Sequence, residues 1–235
     1  MDKVISFSVF GDDPRYAINI VLNAEQALKF YPGWEVRIYH DNTLPAKVVD
    51  RLRTFNNVNL VNMEGEYTYD FKGLQHCSRV FWRFSAYDDK NINVVIFRDC
   101  DSYLTKREAD AVEQWLSTDR PIHLMREVQP GHRSKIMAGM WGIRRTKKCK
   151  SIMERFIAQA DKRYQNDQGY LNNCIYPLFN SSDRVVHDYD NAFNDKTHDW
   201  PSIRINDEFV GKTQGPPNET SGCLDRYNQL IKELL

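Results

Sequence analysis

The chain has 235 residues, 41% of them hydrophobic, and its Lys+Arg 32 balance its Asp+Glu 32 to a formal net charge of +0. That length accommodates one domain with a sizeable core and is short for two. The balance excludes attraction to nucleic acid or to an anionic membrane by overall field, so any phosphate must be held locally. No stretch approaches the roughly 18 apolar residues of a membrane span, and the opening MDKVISFSVFGDD has too short an apolar run for a signal peptide. We therefore expect no transmembrane segment and a soluble, cytoplasmic protein. The five cysteines, Cys77, Cys100, Cys149, Cys174 and Cys223, are odd in number, scattered and free of any CxxC, which fits a reducing compartment better than a disulfide framework or a zinc site.

In chain order, Val4 to Phe10 reads as a strand, and Ala17, Ile20, Val21, Ala24, Ala27, Leu28 and Tyr31 recur at helical spacing until Pro32-Gly33. Trp34 to Tyr39 is a second strand, Lys47 to Phe55 a helix and Val58 to Val61 a third strand. After the irregular EGEYTYDFKG come a helix from Gln75 to Tyr87 and a strand from Val94 to Phe97. The second half predicts helix Arg107 to Leu116, strands at Ile122 to Met125 and Met140 to Ile143, and helix Lys148 to Tyr164. A helix capped by Asn166 follows, with Tyr170, Leu171, Cys174, Ile175 and Leu178 inward. Beyond Asn180 we expect irregular structure, a short strand at Arg184 to Val186, a hairpin near Ile203 to Val210 and a final helix. Strands alternating with helices predict a single α/β domain with a mostly parallel central sheet flanked by helices.

In such sheets ligands bind outside the carboxyl ends of the strands. There the Val94 strand gives way to Asp99, Cys100 and Asp101, and the first two strands exit into FGDDPRY and HDN. Two aspartates one residue apart can converge on a hard cation, Mn2+ or Mg2+, whose open positions a diphosphate completes. The alternative is that they shape the turn and that Asp101 caps the helix starting near Lys106.

The segment FWRFSAYDDKNINVVIFRDCDSYL (Phe81 to Leu104) resembles the stretch around the DxD motif of GT-A-fold glycosyltransferases, in particular glycogenin-like members and small capsule-type or viral relatives. IHLMRE…GH…AGMWGIRRT (Ile122 to Thr146) and NDQGYLNN (Asn166 to Asn173) resemble the acceptor side of the same enzymes, and the likeness extends over roughly residues 4 to 190. It implies a Rossmann-like GT-A domain with a nucleotide-sugar-binding half, 1–101, and an acceptor-side half, 102–235. It further implies a metal-dependent transferase moving a sugar from a nucleotide-diphosphate sugar to a hydroxyl of a glycan or glycoconjugate.

On this resemblance Asp101 ligates the metal, Asp99 contacts the ribose and reaches the metal directly or through water, and Arg83 faces the donor sugar or diphosphate. Phe10, Gly11, Tyr16, Asp41 and Cys100 complete the donor side, and Met140, Trp141 and Gly142 form the sugar and acceptor pocket. Asp167 stands where inverting relatives carry the catalytic base and retaining ones a residue lining the sugar. Each position also has a plain structural reading: an Arg83 pair with Asp88 or Asp89, a core Trp141, and an Asp167 that only favours a helix start. The histidine motif that closes the metal site in glycogenin-like enzymes is missing after His187. We expect His187, at the end of a strand in VVHDYDN, to complete the metal shell, with Asp188 and His198 as alternatives. A metal-dependent phosphohydrolase and a non-catalytic nucleotide-sugar-binding module are the rival functions.

Overall fold

The computed structural model describes residues 2–64, 79–127, 134–159, 167–191, 193–205, 209–212 and 224–235. Seven strands among them form one sheet: β1 (Lys3–Val9), β2 (Glu35–His40), β3 (Val58–Asn62), β4 (Val94–Arg98), β5 (Ile122–Arg126), β6 (Met140–Arg144) and β7 (Arg184–Asp188). Their order is β3-β2-β1-β4-β6-β5-β7. β1 to β4 run parallel, as does the β5 and β7 pair, but β6 is antiparallel to both of its neighbours. The sheet is therefore mixed. Consecutive β5 and β6 lie side by side, and antiparallel neighbours need no crossover helix.

The two-residue period of a strand divides the core. Val95 and Phe97 face one apolar cluster, with Phe81, Phe84, Trp141 and Tyr170, while Val94 and Ile96 face the other, with Ile20, Val21, Ala24 and Trp115. Both faces of β4 are buried, as befits a central strand with helices on each side. The Asn19–Phe30 helix buries Ile20, Val21, Ala24 and Ala27, and Gly33, with φ +80°, supplies the left-handed residue that lets the chain turn into β2.

Several expected boundaries move. The first helix is split, because Asp13 caps a separate turn, Pro14–Ala17. The expected Gln75 to Tyr87 helix lies outside the described residues up to 78; after it the chain forms a 3-10 turn, Trp82–Phe84, and one α turn, Ser85–Asp88. The helix expected from Lys148 starts at Ile152, where the Asp88 carboxylate accepts from Ile152 N and Met153 N at 3.0 and 3.2 Å. Asn166 is outside the described residues, and the expected helix there is an α turn, Asp167–Tyr170, that runs into a π turn, Leu171–Ile175. No strand occurs at 203–205 or 209–210, so the described part of the expected hairpin is irregular. The final helix is Leu224–Leu234.

Candidate active site

Beyond the C-terminal end of β4, Asp99 and Asp101 point to different counter-ions. The Asp99 side chain is 42% exposed and pairs with Arg83 Nη1 at 2.5 Å. Asp101, only 10% exposed, pairs with Arg15 Nη2 at 2.7 Å. Burial, and then the neighbouring Asp99 charge, push the Asp101 carboxyl above its ordinary value, against the pull of Arg15. Neither carboxylate caps the following helix: Thr105 does so, its hydroxyl accepting from Glu108 N at 3.2 Å. The capping alternative for Asp101 therefore falls.

The loop that carries the pair is held from behind. Asn23, fully buried on the Asn19–Phe30 helix, donates to Cys100 O at 3.2 Å and Ser102 O at 3.0 Å, and accepts from Leu104 N at 3.0 Å. Cys100 is buried beneath the loop with its thiol toward Ser8 O at 3.4 Å, and burial pushes that thiol's pKa up, so it stays a neutral packing group. From the front, Gly139 makes room for Asp99: a Cβ there would stand 2.0 Å from Asp99 Oδ2.

Arg83 is the hub. Its backbone is clamped to β1, with Ser6 Oγ donating to Arg83 O at 2.7 Å and Arg83 N donating to Ser8 Oγ at 2.9 Å. Its guanidinium donates to Asp99, to Arg98 O at 2.9 Å and, through Nη2, to Asp167 Oδ2 at 2.5 Å. The two carboxylates offset the burial of this charge and hold its pKa above the usual arginine value. The expected partners Asp88 and Asp89 are engaged elsewhere, on the Ile152 helix and on Arg37. Arg98, beside the motif, turns into the core to Glu108 at 2.6 Å.

Asp167 opens its helical turn, its Oδ1 accepting from its neighbour Gln168 N at 2.8 Å. Gln168 then grips the segment before β6: its Oε1 accepts from Ala138 N at 3.1 Å, and its Nε2 donates to Ser134 Oγ at 2.9 Å and to Ile136 O. That segment ends in Gly139, so one side chain couples the Asp167 turn to the cradle of Asp99.

The loops after β1 and β2 meet at the same end of the sheet. Gly11, with φ +77°, donates its N–H to Thr43 Oγ1 at 2.7 Å, and Asp41 Oδ1 accepts from Thr43 N at 3.0 Å. Asp41 is buried and paired with Arg79 at 3.2 Å, and the Arg79 guanidinium lies 5.4 Å from the Phe10 ring. Tyr16 is half-buried beneath Arg15. Sequence reasoning missed Arg15, Asn23 and Arg79. A signal did exist for Asn23 and the serines: polar residues on otherwise buried faces of the first strand and first helix.

Other expectations are corrected. Trp141 is fully buried, its ring 4.5 Å from that of Phe97 at a tilt of 32°, so its indole belongs to the core and cannot floor a sugar pocket. Gly142 serves packing as well, with Ile96 and Trp115 within about 3 Å of the Cβ it lacks. Met140 is covered by Gly211 and packs with Met125 and Ala111. His187 is fully buried, one ring nitrogen 2.8 Å from His123 Nε2 and the other 2.6 Å from Gln114 Oε1. β7 also lies three strand spacings from β4, roughly 14 Å across the sheet. Asp188 is paired with Arg126 at 3.0 Å, and His198 Nε2 lies 3.4 Å from Arg120.

The chemistry of Asp99 and Asp101 fits a hard divalent cation: two carboxylates one residue apart, the Asp101 carboxyl raised in pKa by burial and then by the Asp99 charge, with Gly139 leaving room for the Asp99 side chain. No group of three His, Cys, Asp or Glu side chains able to hold a metal occurs among the described residues, so the remaining coordination would fall to water and substrate oxygen. Two cavities, of about 370 and 530 Å3, open beside the Asn19–Phe30 and Lys106–Leu116 helices, and none of Asp41, Asp99, Asp101 or Asp167 lines them.

No protein-family model matches the chain, and no curated protein does. Among solved structures it is similar in fold to S. aureus TarS 1-349, at 13% identity and a TM-score of 0.41 over 61% of this chain and 47% of that one. The chain thus spans about half the length of that protein. It is also similar to a glycosyltransferase involved in glycosylation of the major capsid of PBCV-1, at 14% identity and TM-score 0.47 over 80% and 82% of the two chains. A third likeness is to the 4-diphosphocytidyl-2C-methyl-D-erythritol synthase of Anaerococcus prevotii, at 13% identity and TM-score 0.44 over 97% of both chains.

Proposed function

We propose that the chain is a metal-dependent glycosyltransferase that moves a sugar from a nucleotide-diphosphate donor to an acceptor hydroxyl. The observation that carries this reading is the convergence at one strand end of Asp99, Asp101 and Asp167 with Arg83 and Arg15. Asp99 and Asp101 would hold Mn2+ or Mg2+, which would supply positive charge to offset that of a departing nucleoside diphosphate. Phe10, Gly11, Tyr16 and Asp41, together with Asp99, take the base and ribose, while Cys100 supports the loop from beneath. Gly11 permits close backbone approach and the rings offer stacking faces. Arg83 fixes the relative position of Asp99 and Asp167 and meets the donor from below. Asp167 accepts the acceptor's proton, which becomes acidic only as its oxygen attacks the anomeric carbon.

A thermal-shift series tests the reading, with nucleoside diphosphates and nucleotide sugars added with and without Mn2+. One base series should raise Tm by roughly 5–10 °C at a hundredfold excess over Kd, and only with the metal present. Absence of stabilisation by every nucleotide in the series would contradict it.

A further inference from the structure

Arg15 occupies an unusual place in this site. It lies on the short Pro14–Ala17 turn, immediately after the Gly11 bend, and its backbone N–H is fixed by Asp13 Oδ1 at 2.9 Å. Its side chain is 43% exposed, yet its Nη2 donates at 2.7 Å to Asp101, which is 10% exposed. A half-exposed arginine has no need of a largely buried carboxylate, and this carboxylate sits one residue from a second one. The guanidinium therefore supplies the positive charge that the pair demands. It is also long, jointed and open to solvent on one side, whereas the Arg83 guanidinium below it is buried and held by three acceptors. Of the two arginines on the pair, Arg15 is the exposed one, at 43% against 5% for Arg83.

We propose that Arg15 and the divalent cation compete for Asp101, and that cation binding releases Arg15 to grip the donor diphosphate, an inference that rests on the reading of Asp99 and Asp101 as metal ligands. A monodentate guanidinium pair on a half-exposed side chain is weak, and a dication that binds both carboxylates displaces it. The diphosphate that completes the cation's coordination then arrives within the reach of the freed side chain. Arginine binds phosphate oxygens in a planar, two-pronged geometry that lysine lacks. Arg15 thus opposes the metal alone and favours the metal with nucleotide, which couples the two binding steps.

Calorimetry with Mn2+ alone, and then with a nucleoside diphosphate at saturating Mn2+, tests this on the wild type, Arg15→Ala, Arg15→Lys and Asp101→Asn. Arg15→Ala should bind Mn2+ alone roughly three- to tenfold more tightly, because a competing cation is gone. The same variant should bind the nucleoside diphosphate about tenfold more weakly, the loss of one charge-assisted contact. Arg15→Lys should retain the competition and lose most of the nucleotide gain. Unchanged or weaker Mn2+ binding by Arg15→Ala, while Asp101→Asn loses the metal, would overturn the inference and leave the site standing. Undiminished Mn2+ binding by Asp101→Asn would overturn both together.

Discussion

Gly139 fixes what Asp99 can do. A methyl group at this position would overlap the Asp99 carboxylate, 2.0 Å from Oδ2 and 2.4 Å from Cγ, and would push it off Arg83. Gly139→Ala should therefore weaken Mn2+-dependent nucleoside diphosphate binding by tenfold or more, in the range of a lost charge-assisted contact, while circular dichroism stays that of the wild type. Wild-type affinity in calorimetry would show that Asp99 does not need its present position. Asp167 is tested by Asp167→Asn, which preserves shape and the local bond to Gln168 N. As the base, it should lose roughly 10²-fold or more in transfer with donor affinity little changed; near-normal turnover would leave it a partner of Arg83 alone. Asp99, Asp101 and Asp167 were legible in the sequence because charge at the end of an apolar strand, or at a helix start, is conspicuous locally. Arg15 was not, since its partner lies 86 residues away, and Asn23, although conspicuous as a polar residue on a buried helix face, has partners 77 to 81 residues away that no periodicity encodes. Trp141 misled because its flanking glycines suggested an open pocket, whereas Gly139 makes room for Asp99 and Gly142 for Ile96 and Trp115.

At the scale of elements, β5 and β7 carry a buried polar chain in which His123 meets His187 and His187 meets Gln114 of the Lys106–Leu116 helix. Burial and the nearby His198 and Arg107 charges lower the His187 pKa to about 4, and burial lowers that of His123 well below its ordinary value. The sign follows from proton counting. Between about pH 6.5 and pH 4 an unfolded imidazole is protonated and the folded His187 is not, so the unfolded chain binds the extra proton. Stability is complete above that window and falls as pH drops through it, by about 3 kcal/mol for this group. Calorimetric Tm measured from pH 7 to pH 4 should show the decline. A His187→Gln variant should show a shallower one, whatever its stability at pH 7; an equal slope would assign the acid sensitivity elsewhere. The elements themselves were largely legible, because β1, β2 and the Asn19–Phe30 helix show periods of two and 3.6, and β4 is a short apolar run bounded by polar residues. Boundaries failed where a distant side chain sets them, as Asp88 does for the helix beginning at Ile152. They also failed where irregular backbone has no period to read, as at 203–205.

For the molecule as a whole, the first four strands were legible as a parallel set because each is followed by a turn and a helical pattern. The reversal at β6 was not, since a strand as short as Met140–Arg144 reads the same in either direction. What the whole fold accomplishes is to bring three loops, after β1, β2 and β4, to one end of a rigid sheet and to set the Asp167 turn against them. Binding there should stabilise the entire domain, because Arg83 and Gln168 tie both halves of the chain to the site. On the function proposed above, Asp99 and Asp101 hold a divalent cation through which a nucleoside diphosphate is bound. The most direct measurement is calorimetric titration of a nucleoside diphosphate into wild type and Asp101→Asn, each with Mn2+ and with chelator. Mn2+ should strengthen binding by at least roughly a hundredfold in the wild type and hardly at all in Asp101→Asn, since a neutral amide cannot replace an anionic ligand. Equal Mn2+-dependent affinity in the two proteins would contradict it.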